Sequence, residues 1–260
     1  MVGDIRAPLF VPADRPERFA KAAQSGADAV ILDLEDAVAA DAKDAARLAL
    51  RGDFTDLPVI IRINAAGTAW HADDLAAAAA LGPAAVILPK AEDADTVTAT
   101  ARATGAPVIA LIETARGLAA ARAIAAAAQL ARLAFGSVDF CADLGCEHLR
   151  EVLLPARMEL VLASRLAGIA APLDGVTVRL DDPGISHDDA RHARSLGMAG
   201  KLCIHPRQIA PVLRAFAPTP AEIDWAQRVL AAGGGAVSVD GEMVDEPVRI
   251  RARMILARAG

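Results

Sequence analysis

Tyrosine is absent from this 260-residue sequence, and aromatic residues make up only 3% of it. Stacking platforms for single-stranded nucleic acid need aromatic rings, so that class of binder is disfavoured. Surplus basic charge is missing too. The formal net charge is -6 and the pI is near 5.4, whereas nonspecific nucleic-acid binding needs a basic stripe. Cysteine is scarce: Cys141, Cys146 and Cys203 are too few for a disulfide framework in a chain this long. The spacing of Cys141 and Cys146 does not fit a CxxC zinc knuckle, and all three read as buried free thiols. No uncharged apolar tract of about 18 residues occurs, because the alanine-rich runs are broken by Arg, Asp or Pro. Nor does the chain open with a basic stretch followed by an apolar one, so a cytoplasmic protein is expected. Lysine is the last scarcity. Only Lys21, Lys43, Lys90 and Lys201 occur among 27 basic residues.

What is present is hydrophobic, at 54% of residues, and rhythmic. Short apolar runs recur at 8–12 (PLFVP), 29–34 (AVILDL), 58–64 (PVIIRIN) and 85–90 (AVILPK). Others follow at 107–113 (PVIALIE), 133–137 (LAFGS), 174–178 (DGVTV) and 200–205 (GKLCIH). They are short, often β-branched and bounded by Pro or Gly, which suits strands buried on both faces. Between them lie helix-favouring stretches such as 14–25, 42–51, 74–81, 91–104 and 116–130. Eight strand-helix units predict a parallel α/β fold, most economically a TIM (β/α)8 barrel over 1–216. A doubly wound sheet is the runner-up, but 11–14 (VPAD) is no glycine-rich phosphate turn. Residues 217–260 break the rhythm and predict a small helix-hairpin-helix cap. Thr219 would cap a helix over 221–232, Gly233, Gly234 and Gly235 would form a hinge, and Asp240-Gly241 would turn a hairpin. A last helix is expected over 248–259.

Catalytic groups of a parallel barrel cluster beyond the C-terminal ends of its strands. Read there, the sequence offers Asp14, Arg15, Asp33, Glu35, Asp36, Arg62, Asn64, Lys90, Glu113, Asp139, Asp181, Asp182 and His205. Arg62 and Glu113 stand out because charge inside an apolar strand is expensive unless it is paired or metal-bound. Each alone would read as a structural ion-pair partner; together on one rim they read as a site. Glu113 and Asp139, at the ends of strands five and six, make a hard oxygen pair suited to Mg²⁺, with Mn²⁺ as the alternative. Arg62 is a planar fork able to hold a carboxylate or stabilise an enolate.

The string LFVPADRPERFAKAAQSGADAVILDLEDAV (9–38) resembles the opening of the citrate lyase β-subunit-like branch of the HpcH/HpaI aldolase family. So do Arg62-Ile63-Asn64, Leu88-Pro89-Lys90, Ile112-Glu113-Thr114-Ala115 with Gly117, and Phe135 to Phe140 (FGSVDF) with Asp143-Leu144-Gly145. Cys203-Ile204-His205-Pro206 and 239–245 (VDGEMVD) extend the likeness over essentially the whole chain. Two differences stand out: Ala13 replaces a more usual glycine, and the chain is shorter than complete citrate lyase β subunits, which favours a free-standing lyase. The resemblance implies a metal-dependent lyase acting on acyl thioesters. In it Glu113 and Asp139 bind Mg²⁺, Arg62 and Glu113 contact substrate, and backbone N–H groups around Val138 and Asp139 bind an acid oxygen. It further implies that Asp245 is an acid/base group supplied by a neighbouring subunit of a homo-oligomer, a trimer or hexamer. Arg15 would lie near the thioester carrier, whether CoA or an acyl-carrier protein, and Glu35 and Asp36 would orient Arg62.

The expected substrate is a β-hydroxyacyl thioester of malyl, citramalyl or citryl type, cleaved to an α-keto acid and an acetyl thioester, or formed from them. Three rivals remain at this stage. Lys90 could form a Schiff base, although an ion-pair role is favoured for it. Free hydroxy-keto acids could be cleaved to pyruvate, although the first histidine, His71, comes late for that branch. The chain could also be a non-autonomous subunit of a citrate lyase complex.

Overall fold

The computed structural model describes residues 2–233 and 237–259. Its backbone divides into two compact units, Met1–Leu213 and Arg214–Gly260. The first unit alternates strand and helix: β1 (Pro8–Pro12), α1 (Phe19–Ala23), β2 (Ala29–Asp33), α2 (Lys43–Leu48), β3 (Val59–Arg62), α3 (His71–Leu81) and β4 (Ala85–Leu88). It continues with α4 (Ala94–Thr104), β5 (Val108–Ile112), α5 (Ala115–Ala125), β6 (Leu130–Phe135), α6 (Ser137–Leu144) and α7 (Arg150–Ala167). β7 (Ala170–Asp174), α8 (Pro183–Ser195), β8 (Gly200–Lys201) and α9 (Ile209–Phe216) follow. All eight strands are parallel and paired in chain order. The sheet closes on itself where Phe10 N–H donates to Cys203 O (2.9 Å) and Cys203 N–H to Pro8 O (3.0 Å). This is the TIM barrel.

Local chemistry explains most of the boundaries. Asp93 and Thr114 each accept an N–H three residues on and so start α4 and α5. Gly82 and Gly105 stop α3 and α4 at φ 65° and 66°, a left-handed turn that costs glycine nothing. One side of each strand fills the barrel interior. Ala29 and Ile31, Ile60, Ala85 and Ile87, Ile109 and Leu111, Ala134, Leu173 and Leu202 pack as one buried cluster. At the opposite end from the strand termini, the buried Arg132 donates to Ile5 O and Ala171 O at 2.6 Å each. It ties β6 to the chain entering β1 and to β7.

Three strand expectations shift. The sixth strand begins at Leu130 rather than 133: α5 ends at Ala125, and the turn that follows it, with Gln129 at φ 61°, delivers Leu-Ala-Arg to the ladder. Those three residues favour helix in isolation, and pairing with β5 overrides that. The seventh strand is 170–174, not 174–178, sharing only Asp174 with the expected segment. Ala-Ala-Pro-Leu-Asp is poor in β-branched residues, and Pro172, which has no N–H, falls where the β6–β7 register slips. The eighth has a regular ladder only over Gly200–Lys201, before the bridge through Cys203 closes the barrel.

The second unit holds α10 (Pro220–Ala231), an antiparallel hairpin of β9 (Val237–Val239) and β10 (Glu242–Val244), and α11 (Glu246–Ala257). Thr219 and Glu222 form a reciprocal capping box at the start of α10, with bonds of 2.7 and 3.2 Å. Asp240 and Gly241, both at positive φ, make the hairpin turn. Ala226, Val229, Val244, Ala252 and Ile255 form this unit's own small core. Of the expected hinge, Gly234 and Gly235 lie outside the described residues. Among the described residues no helix is long and apolar enough to cross a membrane.

Candidate active site

Side chains alternate across a strand with period two. The barrel cluster holds Ala29 and Ile31 of β2, Ile60 of β3, and Ile109 and Leu111 of β5. Two residues further along each of these rows stand Asp33, Arg62 and Glu113. The same alternation that fills the core therefore aims one arginine and two carboxylates into the barrel mouth. All three line a pocket of about 440 Å³, with Asp36, Gly136, Ser137, Val138 and Asp139 on its rim.

Arg62 is gripped from several directions. Its Nε donates to Asp33 Oδ1 at 2.7 Å and one terminal nitrogen to Asp33 Oδ2 at 2.6 Å, a two-pronged pair. The other terminal nitrogen lies 2.8 Å from Glu35 and 3.7 Å from Asp36, and the guanidinium rests over the ring of Phe10 at 4.8 Å. Burial opposes the charge, but Asp33 and then Glu35 outweigh it and keep the guanidinium protonated. Asp33 in turn accepts the N–H groups of Glu35 and Ala37. Asp33 is the main orienter of Arg62, Glu35 is a second contact, and Asp36 is half-exposed at the edge.

Glu113 is 1% exposed and accepts the Lys90 N–H at 2.8 Å. That bond depends on Lys90 adopting φ 46°, a left-handed backbone unusual for lysine. The Lys90 ammonium lies 3.1 Å from Glu35 and 3.7 Å from Glu113. Burial alone would lower its pKa, yet Glu35 and Glu113 together raise it above the ordinary lysine value. An amine held protonated between two carboxylates is a counter-ion and a poor nucleophile. The ion-pair role expected for Lys90 accounts for these contacts. Burial, then the nearby Glu35 charge, push Glu113 up to about 8 against the pull of Lys90; Asp139 adds to the rise.

Asp139 sits one turn further on than expected. β6 ends at Phe135 and Asp139 is in the first turn of α6, where the leading N–H groups have no intrahelical acceptors. Val138 shares that turn and lines the pocket. The donor set suits a divalent cation. A buried carboxylate crowded by like charge is costly, and the oxygens offered are hard. Among the described residues no three His, Cys, Asp or Glu side chains cluster as a ready cage. Glu113 and Asp139 are two carboxylates, the number Mg²⁺ uses while leaving other positions to water and substrate oxygens.

Other rim candidates lie elsewhere. Arg15 is exposed, 3.9 Å from Asp14, and does not line the pocket. Asp182 caps α8, Asp181 pairs with Arg179 on the surface, and His205 caps the short turn at Pro206. Asn64 is structural. It accepts from Lys43 and donates to Asp74, while the Lys43 ammonium also binds Leu34 O and Glu35 O at 2.7 and 2.8 Å, pinning the Glu35 loop. Asp245 belongs to the second unit, where it caps α11 by accepting the Val248 N–H at 3.3 Å. Sequence reasoning missed two groups. Asp33 as the clamp of Arg62 was legible in the 29, 31, 33 alternation. Gly136 was not: a Cβ there would fall 2.2 Å from Glu113 Oε2.

An eight-stranded parallel barrel with arginine and paired carboxylates at its C-terminal mouth defines a TIM-barrel enzyme. Residues 6–206 match the HpcH/HpaI aldolase/citrate lyase family, and the chain belongs to it. A citrate lyase subunit beta-like protein of Mycobacterium tuberculosis is 44% identical, over 97% of this chain and 94% of the relative. A (3S)-malyl-CoA thioesterase of Cereibacter sphaeroides is 34% identical, over 98% of this chain and 94% of its own. The crystal structure of CitE from M. tuberculosis with magnesium, acetoacetate and coenzyme A superposes at a TM-score of 0.91, with 43% identity over the whole of both chains.

Proposed function

We propose that this protein is a Mg²⁺-dependent lyase that cleaves a β-hydroxyacyl thioester into an α-keto acid and an acetyl thioester, or runs the reverse condensation. The observation that carries the reading is the convergence of Arg62 and Glu113 in one barrel mouth, with Asp139 on its rim. The magnesium, acetoacetate and coenzyme A held by the M. tuberculosis relative support the same chemistry. Glu113 and Asp139 hold the ion. A bound Mg²⁺ supplies Lewis acidity and a template for neighbouring carboxylate and hydroxyl oxygens. The first-turn N–H groups of α6 at Val138 and Asp139 receive the substrate's acid oxygen. Asp245 of a neighbouring copy, assigned on the family resemblance, takes the hydroxyl proton. The C–C bond then breaks with its electron pair going to the thioester's α-carbon, and Arg62, locked by Asp33, faces the enolate oxygen as charge develops there. The proton taken by Asp245 returns to that carbon to give the acetyl thioester. Arg15 is assigned to the thioester carrier on the same resemblance, as residues 217–260 are assigned to a cap of a homo-oligomer.

The purified chain with Mg²⁺ is expected to release a keto acid from malyl-, citramalyl- or hydroxymethylglutaryl-CoA, followed as the phenylhydrazone, and EDTA is expected to abolish it. Silence on all three, with activity after an acyl-carrier protein is added, would identify a complex subunit instead. Borohydride trapping of Lys90 with a keto acid would sink the metal mechanism. Asp245→Ala is expected to lower kcat about 10²-fold or more while leaving Mg²⁺ affinity unchanged, if it is the proton acceptor.

The raised pKa of Glu113 gives a pH prediction. Folded protein keeps a proton there that the unfolded chain loses above its ordinary value of 4.5, up to about 8. The contribution to ion-free stability is thus complete below 4.5 and is lost as pH climbs to 8. A cation needs the carboxylate, so Mn²⁺ affinity should rise with pH over the same range and then level off. Calorimetry in buffers of different ionisation heat should find about one proton released per ion at pH 7 and little at pH 9.

A further inference from the structure

The expectation that all three cysteines are buried free thiols holds for Cys141 and Cys203, whereas Cys146 is free but only half-buried. Cys146 stands two residues past α6, and Cys141 lies in the last turn of that helix. Gly145 leaves the helix at φ 67°, and the N–H groups of Gly145 and Cys146 both donate to Cys141 O, the second at 3.1 Å. At a glycine-terminated helix end of this kind the chain folds back on the last turn. An apolar contact commonly joins the two positions that Cys141 and Cys146 occupy. Here that contact pairs two thiols.

Burial, and after it the hydrogen bond and charge of the neighbouring Cys146, push the Cys141 thiol up to about 11, against the pull of Arg157. Cys141 therefore keeps its proton at neutral pH, and Cys146 is the thiol a small solute can reach. A disulfide needs Cα atoms about 4.4–6.8 Å apart, and a direct N–H to O bond between the same two residues keeps them at short range. Cys203 is the contrast. It is fully buried, its thiol donates to Lys201 O at 3.5 Å, and burial pushes it up to about 12.

We propose that Cys141 and Cys146 form a reversible redox site, which a peroxide oxidises to a disulfide across the end of α6. The Cys146 thiolate attacks one peroxide oxygen and the O–O bond breaks. Cys146 becomes a sulfenic acid, and the hydroxide expelled takes up the proton that the thiol had lost. The Cys141 sulfur then attacks the Cys146 sulfur. The S–S bond forms, the S–O bond breaks, and the Cys141 proton leaves with that oxygen as water. In sum two thiols lose two electrons and two protons, and one hydrogen peroxide is reduced to two waters. The proposed lyase reaction uses neither thiol, so the site stands whether or not that reading does.

The unmodified protein is treated in its folded state with a small excess of hydrogen peroxide, quenched with catalase, unfolded, alkylated with iodoacetamide and digested with trypsin. Cleavage after Arg132 and Arg150 puts both thiols on one peptide, and cleavage after Lys201 and Arg207 puts Cys203 on another. The first peptide should become lighter by two hydrogens and take up no iodoacetamide, about tenfold or more faster than Cys203 loses its thiol. Dithiothreitol should restore both alkylation sites. In Cys141→Ser the Cys146 sulfenic acid has no thiol to resolve it, so dimedone should capture it there and hardly at all in the unmodified protein. The peptide map needs no variant, so the test survives if Cys141→Ser does not fold. Two alkylatable thiols on the first peptide after treatment would overturn the proposal. So would Cys146 driven to a sulfinic acid beside a reduced Cys141, or Cys203 oxidised as fast as the pair.

Discussion

Gly136→Ala is expected to cut turnover about 10²-fold or more while leaving the barrel folded. The added methyl would stand 2.2 Å from Glu113 Oε2 and 2.5 Å from its Cβ, closer than any real contact. Gly136 lies between β6 and α6, and its N–H donates to Ile112 O at 2.9 Å, so the backbone is tied to β5 and cannot retreat. The carboxylate must leave instead. A displaced Glu113 loses the Lys90 N–H and its alignment with Asp139, so Mn²⁺ affinity and kcat should fall together, each by about 10²-fold or more. Gly145→Ala is the matched control. It lies just past α6 at φ 67° with nothing within 4 Å, so it should cost about 1 kcal/mol of stability and no activity. Thermal midpoints, Mn²⁺ titration and keto-acid release separate the two effects. A Gly136→Ala protein with normal ion affinity would show that Glu113 does not depend on this approach.

Asp33→Asn is the second large effect, and it should damage stability and catalysis at once. Both oxygens of Asp33 are committed: Oδ1 to Arg62 Nε and the Glu35 N–H, Oδ2 to an Arg62 terminal nitrogen and the Ala37 N–H. An amide nitrogen at either position would face donors only. Breaking a buried ion pair of this kind costs about 3–5 kcal/mol, because Arg62 stays charged without its main partner. The denaturation midpoint should drop accordingly. kcat/KM should fall about 10²-fold or more, since the guanidinium loses its fixed direction toward the developing enolate. Arg62→Lys should not restore either property, because a single ammonium cannot span both Asp33 oxygens. If Asp33→Asn retains full kcat, the orientation of Arg62 does not matter to the reaction.

Much of this site was legible before any coordinates. Arg62 and Glu113 announced themselves because charge within an apolar strand is costly, and their place at strand ends put them on the rim where a parallel barrel carries its chemistry. The strand-helix rhythm and the Thr219 cap are local signals of the same kind. Residues whose role depends on a distant neighbour were not legible. Asp181, Asp182 and His205 looked like rim chemistry but serve as a surface partner and caps, because only packing decides whether a loop carboxylate faces the pocket or its own helix.

The sequence by itself determined the barrel, through eight short apolar runs separated by helical stretches, and determined which strands carry charge at their ends. Tertiary structure alone decided that Leu-Ala-Arg at 130–132 is strand, since only pairing with β5 overrides its helical preference. It alone showed that Gly136 must lack a side chain, that the Lys90 backbone turns left-handed to hold Glu113, and that one buried Asp174 answers two cations. The physical reason is common to all four. Periodicity and propensity are properties of neighbours along the chain, whereas contact distance and charge balance in a buried site are set by segments 17 or more residues apart.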